Sequence, residues 1–336
     1  MRTIKPSHLA DELFANARAG LATMIWGPPG IGKSQIVYEM STKLNAKLFE
    51  LRANLFDPVD VRGGLKVVEQ EDGTYKTRYG VPEDYPDTDY RGNVVLFIDE
   101  LPNAPKATQN ALLQLILDRK IGTYQLPPNT AIVAAGNRAA DRAAVNEMPT
   151  PVRNRFSHYE LGVNTDDWCA WAMRNDISPA IISFIRYRPT LLHSMDTREY
   201  AFPTPRSWEM VDKKVPHMPA DDDRQFYSLA SVVGDSAAGE FLAFKRIADE
   251  LPDLDKIIQK PTHMKVPVEP STLYALSGAL AAKVTALNFP KIMAYANRMP
   301  PEYQVILVRD ALAKDRSLTT TPVFQSWAQE NAQALL

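Results

Sequence analysis

The sequence has few of the residues that build disulfides, metal sites and membrane spans. It contains a single cysteine, Cys169, which excludes an intramolecular disulfide. Its five histidines do not fall at metal-ligand spacings, so we expect no zinc site. No apolar run approaches the roughly 20 residues of a membrane helix, and residues 1–10 lack the apolar core of a signal peptide. These features favour a cytoplasmic protein without a membrane span.

The chain also carries little net charge. Its 38 basic residues nearly balance 40 acidic ones, which gives a formal net charge of −2. Binding of nucleic acid through the net charge of the whole protein is therefore not favoured, although a local basic channel in an oligomer is compatible with this balance. The length of 336 residues and the 45% hydrophobic content predict an ordinary globular protein of two or three modules.

The first half of the chain alternates short apolar runs with helical patterns. Strands are predicted at Ala22–Trp26, Lys47–Arg52, Val94–Ile98 and Ala131–Ala135, and helices at Ser34–Leu44 and Ala107–Leu117. This alternation indicates an α/β fold with a parallel sheet covered by helices.

Two segments interrupt the alternation. A hairpin is predicted from Leu65–Val68 and Thr74–Arg78, which flank an Asp-Gly turn signal, and Asp57–Gly64 before it is interpreted as a loop. Arg119–Asn129 predicts a second, smaller hairpin. From about Asn164 onward, helical patterns separated by prolines take over, and residues 251–270 form a proline-rich connector.

The stretch GPPGIGKS, from Gly27 to Ser34, follows an apolar strand and precedes a helical pattern. This is the context that a phosphate-binding loop requires, because its backbone N–H groups and the helix start both attract phosphate. Lys33 is predicted to contact the β- and γ-phosphates and Ser34 to bind Mg²⁺. The predicted nucleotide-binding residues are Gly27, Pro28, Pro29, Gly30, Ile31, Gly32, Lys33, Ser34, Gln35 and Asp99.

The run VVLFIDE, from Val94 to Glu100, supplies an apolar strand that ends in two acids. We expect Asp99 to orient Mg²⁺ and Glu100 to act as general base toward the attacking water. A glutamate directly after the aspartate favours hydrolysis over transfer to a small acceptor. No NKxD-like guanine signature is present, so ATP is preferred to GTP without being fixed by the sequence.

The ordered set GPPGIGKS, VVLFIDE, AIVAAGNR, TPVRNRF and FPTPRSWEMV resembles that of AAA+ ATPases, in detail the MoxR and dynein-related branch. The resemblance covers roughly Leu21–Lys214. It implies a P-loop AAA+ parallel sheet sandwiched by helices, followed by an all-α lid and a helical C-terminal extension. The corresponding domains would be 1–163, with a hairpin insertion near 57–90, then 164–250 and 251–336.

The resemblance also implies roles for four further residues. Asn137 resembles the sensor-1 amide, which hydrogen-bonds the attacking water or the γ-phosphate. Arg155 resembles the arginine finger, and Arg153 could share or take that role. Arg206 resembles sensor 2 on the lid, acting on the nucleotide of its own subunit or of a neighbour. Hairpin and loop residues nominated as client contacts are Lys66, Tyr75, Lys76, Arg78 and Tyr124.

A finger that reaches into the next subunit implies a ring, most simply a homo-hexamer. Proteins of the MoxR branch act with a partner that carries a von Willebrand factor A (VWA) domain, and they remodel, mature or activate a client complex. Two other functions stay open. The second hypothesis comes from a resemblance to the GTPase subunits of modification-dependent restriction systems, over the run AAGNRAADRAAVNEMPTPVRNRF. The third hypothesis is a nucleotide-dependent scaffold without functional turnover.

Overall fold

The computed structural model describes residues 2–138, 141, 146, 148–196, 198–219 and 221–331. The chain divides into two compact units, Met1–Val163 and Asn164–Leu336. The strands of the first unit are β1 Thr3–Ile4, β2 Ala22–Trp26, β3 Ala46–Arg52, β4 Leu65–Glu69, β5 Tyr75–Tyr79, β6 Asn93–Asp99, β7 Lys120–Ile121, β8 Tyr124–Gln125, β9 Thr130–Gly136 and β10 Phe156–Leu161. Its helices are α1 Pro6–Ala19, α2 Lys33–Lys43, α3 Pro58–Arg62, α4 Lys106–Asp118 and α5 Thr150–Arg153.

Six of these strands form one parallel sheet in the order β1-β10-β2-β9-β6-β3. Alternate residues of the central strands enter two separate apolar cores, one on each face. In β6, Leu96 and Ile98 face one core while Val95 and Phe97 face the other. Helices α1 and α2 cover the second face and α4 covers the first. Burial on both faces explains why these strands are continuously apolar in sequence.

The four predicted strands and the two predicted helices of this half are present, with ends that coincide or differ by one residue. The structure adds β1, α1, α5 and β10, which the apolar pattern did not predict. Strand β10 has the sequence FSHYEL, with only Phe156 and Leu161 fully buried. The four residues between them, Ser157 to Glu160, are partly buried and mostly polar, so the sequence of this strand lacks the apolar run that predicts a strand.

The interpretation of Asp57–Gly64 as a loop is wrong in part, because α3 occupies its centre. Pro58 at the first helical position and a backbone N–H of Asp57 that donates to Asp60 (2.8 Å) favour this short helix.

Both predicted hairpins form. Strands β4 and β5 pair antiparallel with Leu65 opposite Tyr79, and β7 pairs with β8. The β4–β5 hairpin is exposed, and Lys66, Tyr75, Lys76 and Arg78 lie on its surface. Tyr124 is buried in the core beside Tyr85, and its hydroxyl donates to the carbonyl of Pro86, so the nomination of its side chain as a client contact is wrong.

The second unit is helical in the part that the structure describes. Its helices are α6 Thr165–Arg174, α7 Pro179–Tyr187, α8 Pro205–Lys214, α9 Asp222–Val233, α10 Asp235–Asp249, α11 Leu254–Gln259, α12 Pro270–Ala282, α13 Phe289–Ala296, α14 Pro301–Lys314 and α15 Pro322–Glu330. Helix α11 lies inside the predicted connector, where the Asp253 side chain caps its start. Among the described helices, none combines the length and apolarity that crossing a membrane requires.

Two apolar clusters make up the interior of this unit. One is built mainly from α6–α10 and the other from α11–α15, and Tyr274 on α12 packs against both. A buried, bidentate ion pair joins Arg186 on α7 to Asp310 on α14. The predicted division near residue 250 stays a prediction.

Candidate nucleotide-binding site

The phosphate loop leaves the sheet at the carboxyl end of β2 and enters α2 at Lys33. Gly27 donates its N–H to the carbonyl of Gly136 on the neighbouring strand (3.2 Å). A Cβ at Gly27 would lie 2.6 Å from Ile31 Cδ1 and 3.0 Å from the Leu161 carbonyl, so a side chain does not fit. Gly32 has φ +95°, and a Cβ there would meet no heavy atom within 4 Å. The loop therefore needs glycine at 27 for space and at 32 for conformation, and it is open beside Gly32.

The ammonium group of Lys33 is drawn back over this loop. It donates to the carbonyls of Gly27 (2.7 Å) and Pro28 (2.9 Å) and to Oδ1 of Asn137 (2.8 Å). Two predicted residues that lie 104 positions apart thus meet at hydrogen-bond distance. A concentrated positive charge between a curled backbone and an amide is suited to binding phosphate.

Ser34 and Asp99 also meet. The Ser34 hydroxyl donates to Oδ2 of Asp99 at 3.3 Å, although 65 residues separate them. A hydroxyl and a carboxylate are the hard oxygen donors that Mg²⁺ prefers, and Mg²⁺ usually takes one or two protein ligands and completes its shell with water and phosphate. The pair therefore fits the predicted ion. Among the described residues, no cluster of three or more His, Cys, Asp or Glu side chains could hold a metal by itself.

Glu100 lies directly after β6 in a left-handed backbone conformation, with φ 55° and ψ 30°. Its N–H donates to Oδ1 of Asp99 at 2.9 Å. A non-glycine residue in this region costs about 1–2 kcal/mol, and such strain concentrates at functional sites. Because a turn begins at Glu100, the half-buried side chain of this glutamate leaves the backbone in a different direction from that of a residue in a continuing strand.

Asn137 follows the last residue of β9, which lies between β2 and β6 in the sheet. Gly136 allows a close approach there, because a Cβ would lie 2.4 Å from Cδ of Pro102 in the turn after Glu100. The carboxyl ends of three adjacent parallel strands thus carry the phosphate loop, the amide and the two acids. Ligands of open α/β sheets bind at this edge.

Three charged residues beside the site were missed at the level of sequence. Arg138 makes a bidentate bond to Asp141, which is buried, and donates to Oε1 of Glu160 at 2.6 Å. Burial raises the pKa of Asp141, but hydrogen bonds from Arg138 and the positive charges of Arg138 and Lys33 outweigh it and lower that pKa overall. The sequence signal that could have indicated these residues is Arg138, directly after Asn137. A partly buried arginine at the edge of a sheet requires carboxylate partners.

Arg153 and Arg155 lie at the end of α5 and in the turn before β10, and both are exposed. Arg153 donates to the hydroxyl of Thr150 at 3.2 Å. Arg206 belongs to the second unit, where it is exposed in the first turn of α8. A capping box between Thr204 and Ser207 fixes the start of this helix.

Residues 22–156 match the model of the AAA domain, dynein-related subfamily. No curated protein matches the chain. Among solved structures, the P216G mutant of RuvB from Thermotoga maritima is 20% identical, with a TM-score of 0.42, over 87% of this chain and 86% of its own. An ATPase of Cytophaga hutchinsonii is 13% identical, with a TM-score of 0.35, over 92% and 81% of the two chains. NtrX of Brucella abortus is 14% identical, with a TM-score of 0.39, over 91% and 67%.

The glycine-shaped loop, the parallel sheet with helices on both faces and the matched family model agree with one another. The fold of residues 22–156 is accordingly that of a P-loop AAA+ domain.

Proposed function

We propose that this protein hydrolyses Mg-ATP. The observation that supports this most strongly is the convergence of Lys33, Ser34, Asp99 and Asn137 at one sheet edge, with the Lys33 ammonium 2.8 Å from Asn137 Oδ1 and the Ser34 hydroxyl 3.3 Å from Asp99 Oδ2. A purely structural glycine turn has no need for these four polar groups in one place.

Each residue has a chemical task in this proposal. Lys33 and the loop N–H groups bind the β- and γ-phosphates, and Asn137 orients the attacking water. Glu100 takes a proton from that water as general base. Ser34 and Asp99 would hold Mg²⁺, which supplies charge neutralisation of the phosphates when it is bound.

We further infer that the active form is a ring, with six copies as the simplest assembly. The support comes from Arg153 and Arg155, which are exposed and lie outside the hydrogen-bonded cluster around Lys33 in the described part of the chain. An arginine presented outward in this way is suited to stabilising charge on a phosphate bound by a neighbouring copy. Arg206 is proposed to serve as a lid sensor, for its own nucleotide or for a neighbour's.

The proposed task of the ring is to remodel or activate a client protein complex in the cytoplasm. Nucleotide-dependent movement of the helical lid would transmit the energy of hydrolysis to the client. The MoxR-like order of the motifs supports this task and a VWA-domain protein as partner. The exposed β4–β5 hairpin, with Lys66, Tyr75, Lys76 and Arg78, is the proposed client-contacting element.

The first test is nucleotide hydrolysis by the purified protein and its Glu100→Gln variant, with ATP and GTP in competition. The matched control is Glu71→Gln, which changes an exposed glutamate in the hairpin turn. We expect ATP turnover that Glu71→Gln preserves and that Glu100→Gln lowers by about 10²-fold or more, because the base is lost while nucleotide binding remains. Wild-type turnover in Glu100→Gln would contradict the assignment, and a strong preference for GTP would favour the restriction-type function.

The second test uses Glu100→Gln as bait in the native cell, because it should hold ATP and keep the ring on its client. Recovery of a VWA-domain protein with its target supports the remodelling function. Recovery of a nuclease together with DNA overturns it. Tight ATP binding and assembly without any turnover in the wild type would indicate the scaffold.

A further inference from the structure

His158, on β10, lies between the phosphate loop and the arginine segment of the same subunit. Its Nδ1 accepts a hydrogen bond from the indole N–H of Trp26 at 2.9 Å. Its Nε2 lies 2.7 Å from the backbone carbonyl of Arg153. The imidazole and the Trp26 indole are nearly coplanar, with centroids 6.1 Å apart and an angle of 19°, and the imidazole meets Phe156 edge-on.

The two partners determine which nitrogen carries the proton. The Trp26 indole can only donate and the Arg153 carbonyl can only accept. Nδ1 must therefore present its lone pair, and Nε2 must carry the hydrogen. Both ring nitrogens are used in fixed directions, and the neutral imidazole is the form that makes both bonds.

This side chain connects two parts of the site that have different tasks. Trp26 ends β2 and immediately precedes Gly27, the first residue of the phosphate loop. Arg153 ends α5, and Arg155 follows two residues later. In the part of the first unit that the structure describes, the hydrogen bonds of the His158 side chain reach both the residue before the loop and the arginine segment.

We propose that His158 is a positioning residue that couples the phosphate loop of one subunit to the arginine segment that this subunit offers to its neighbour. The inference rests on the proposed function, because it requires hydrolysis in a ring. Nucleotide in the loop displaces the end of β2, Trp26 shifts the imidazole, and the imidazole shifts the carbonyl of Arg153. By linkage, a neighbour's nucleotide held by the arginines acts back on this loop through the same two bonds. The consequence is cooperative hydrolysis around the ring.

The test uses three substitutions that remove different parts of this connection. His158→Phe keeps an aromatic ring but makes neither hydrogen bond. Trp26→Phe keeps an aromatic ring, removes the indole donor and leaves the bond to Arg153 in place. His158→Gln offers an amide oxygen and an amide N–H, so it can restore both bonds without an ionisable ring. His8→Phe, at an exposed position of α1, is the matched control.

ATP affinity, kcat and the Hill coefficient for ATP are measured for each variant, with a thermal melt to establish folding. We expect His158→Phe to bind ATP within about twofold of wild type and to lose up to about 10²-fold in kcat, because the arginine segment is displaced. The Hill coefficient should fall toward about 1 because the coupling between sites is lost. Trp26→Phe should lower the Hill coefficient with a smaller loss of kcat, because the arginine segment keeps its bond. His158→Gln should recover both parameters in part, and His8→Phe should match wild type.

Folded His158→Phe with wild-type kcat and Hill coefficient, while Glu100→Gln is inactive, overturns the inference and leaves the proposed function intact. A wild-type protein without nucleotide turnover overturns the proposed function itself. If His158→Phe does not fold, Trp26→Phe decides: an unchanged Hill coefficient rejects the coupling. A lower melting temperature with unchanged cooperativity indicates that His158 only stabilises the fold.

Discussion

At the scale of single residues, the site depends on charged groups that are held by more than one partner. Lys33 contacts two carbonyls and an amide, and Arg138 contacts two carboxylates. Charge-assisted hydrogen bonds of this kind are stronger than neutral ones, and leaving one partner unsatisfied is costly. Substitutions at these positions should therefore affect stability as well as chemistry.

Asp141 gives a prediction that depends on pH. Its pKa is lowered in the folded protein, so its ionised form stabilises the fold above the ordinary aspartate pKa, and this contribution is lost as pH falls through the lowered value. Asp141→Asn should cost about 2 kcal/mol near neutral pH, because Arg138 loses a charged acceptor. Unfolding by urea at a series of pH values should show the difference from wild type shrinking in acid. A difference that is constant with pH would contradict the assignment.

The residue pattern predicted most of the polar groups at the sheet edge but not their supports. Lys33, Ser34, Asp99 and Asn137 belong to short motifs whose spacing is visible in the sequence, and the structure brings them together. Glu160 lies on a strand without an apolar signal, and Asp141 lies beyond the motif that contains Arg138. Glu160 is brought to Arg138 by the sheet rather than by sequence spacing, and such a partner leaves no local pattern to detect.

At the scale of elements, the edge of the sheet depends on how closely β9 approaches the turn after β6. Gly136→Ala would place a methyl group 2.4 Å from Cδ of Pro102, whose ring cannot rotate away. We expect the turn that carries Glu100 to shift and ATP turnover to fall by about 100-fold, since a displacement near 1 Å can have that effect. Kinetics of the purified variant would show it.

Gly239→Ala in α10 is the matched control for this prediction. A Cβ there finds only ordinary contact with Phe226 at 3.9 Å, and the helix interior favours alanine over glycine. It should leave turnover unchanged and raise the melting temperature slightly. Equal activity of Gly136→Ala and Gly239→Ala would reject the steric argument.

In the second unit, α7 and α14 are joined by the buried pair Arg186 and Asp310, whose side chains are 5% and 8% exposed. Asp310→Asn leaves an unpaired buried guanidinium, and we expect a loss of about 3–5 kcal/mol in the free energy of unfolding. The double replacement Arg186→Met with Asp310→Leu should recover most of that loss, because both charges are removed. Urea titrations of the two variants separate these outcomes, and equal destabilisation by both would contradict the argument.

Among the strands of the parallel sheet, prediction succeeded for those buried on both faces and failed for β10, whose surroundings are more polar. The central strands β2, β6 and β9 enter both cores and are mainly apolar, so they were visible in the sequence. Strand β10 presents His158 to Trp26 and Glu160 to Arg138, and it was missed. Helix α3 and helix α11 are too short for an apolar stripe, and their starts are set by Asp57 and Asp253.

At the scale of the whole molecule, the arginine assignment predicts that one active site is shared by two chains. Arg155→Ala should bind ATP normally and lose about 10³-fold or more in turnover, whereas Lys33→Ala should lose binding. Mixing the two inactive proteins should restore activity. In a mixed ring, an intact loop from one chain meets an intact arginine from the next. Hydrolysis of mixed samples measures this, with Lys43→Ala, an exposed lysine at the end of α2, as the binding control.

Absence of complementation, with Arg155→Ala inactive, would place the arginine on its own subunit's nucleotide. Wild-type turnover of Arg155→Ala, with a loss in Arg153→Ala, would transfer the role to Arg153. Either result would change the proposed ring without affecting the assignment of the phosphate loop.

The strand order has a consequence for the way this molecule can be altered. In chain order, the β4–β5 hairpin is inserted between β3, which is an edge strand of the sheet, and β6. In the sheet, the strand before the phosphate loop, β2, lies between β9 and β10. Exchanging or shortening the hairpin therefore leaves both neighbours of β2 untouched. If the hairpin contacts a client as proposed, grafting another hairpin at this position would change the contact surface while the strands that support the nucleotide site stay the same.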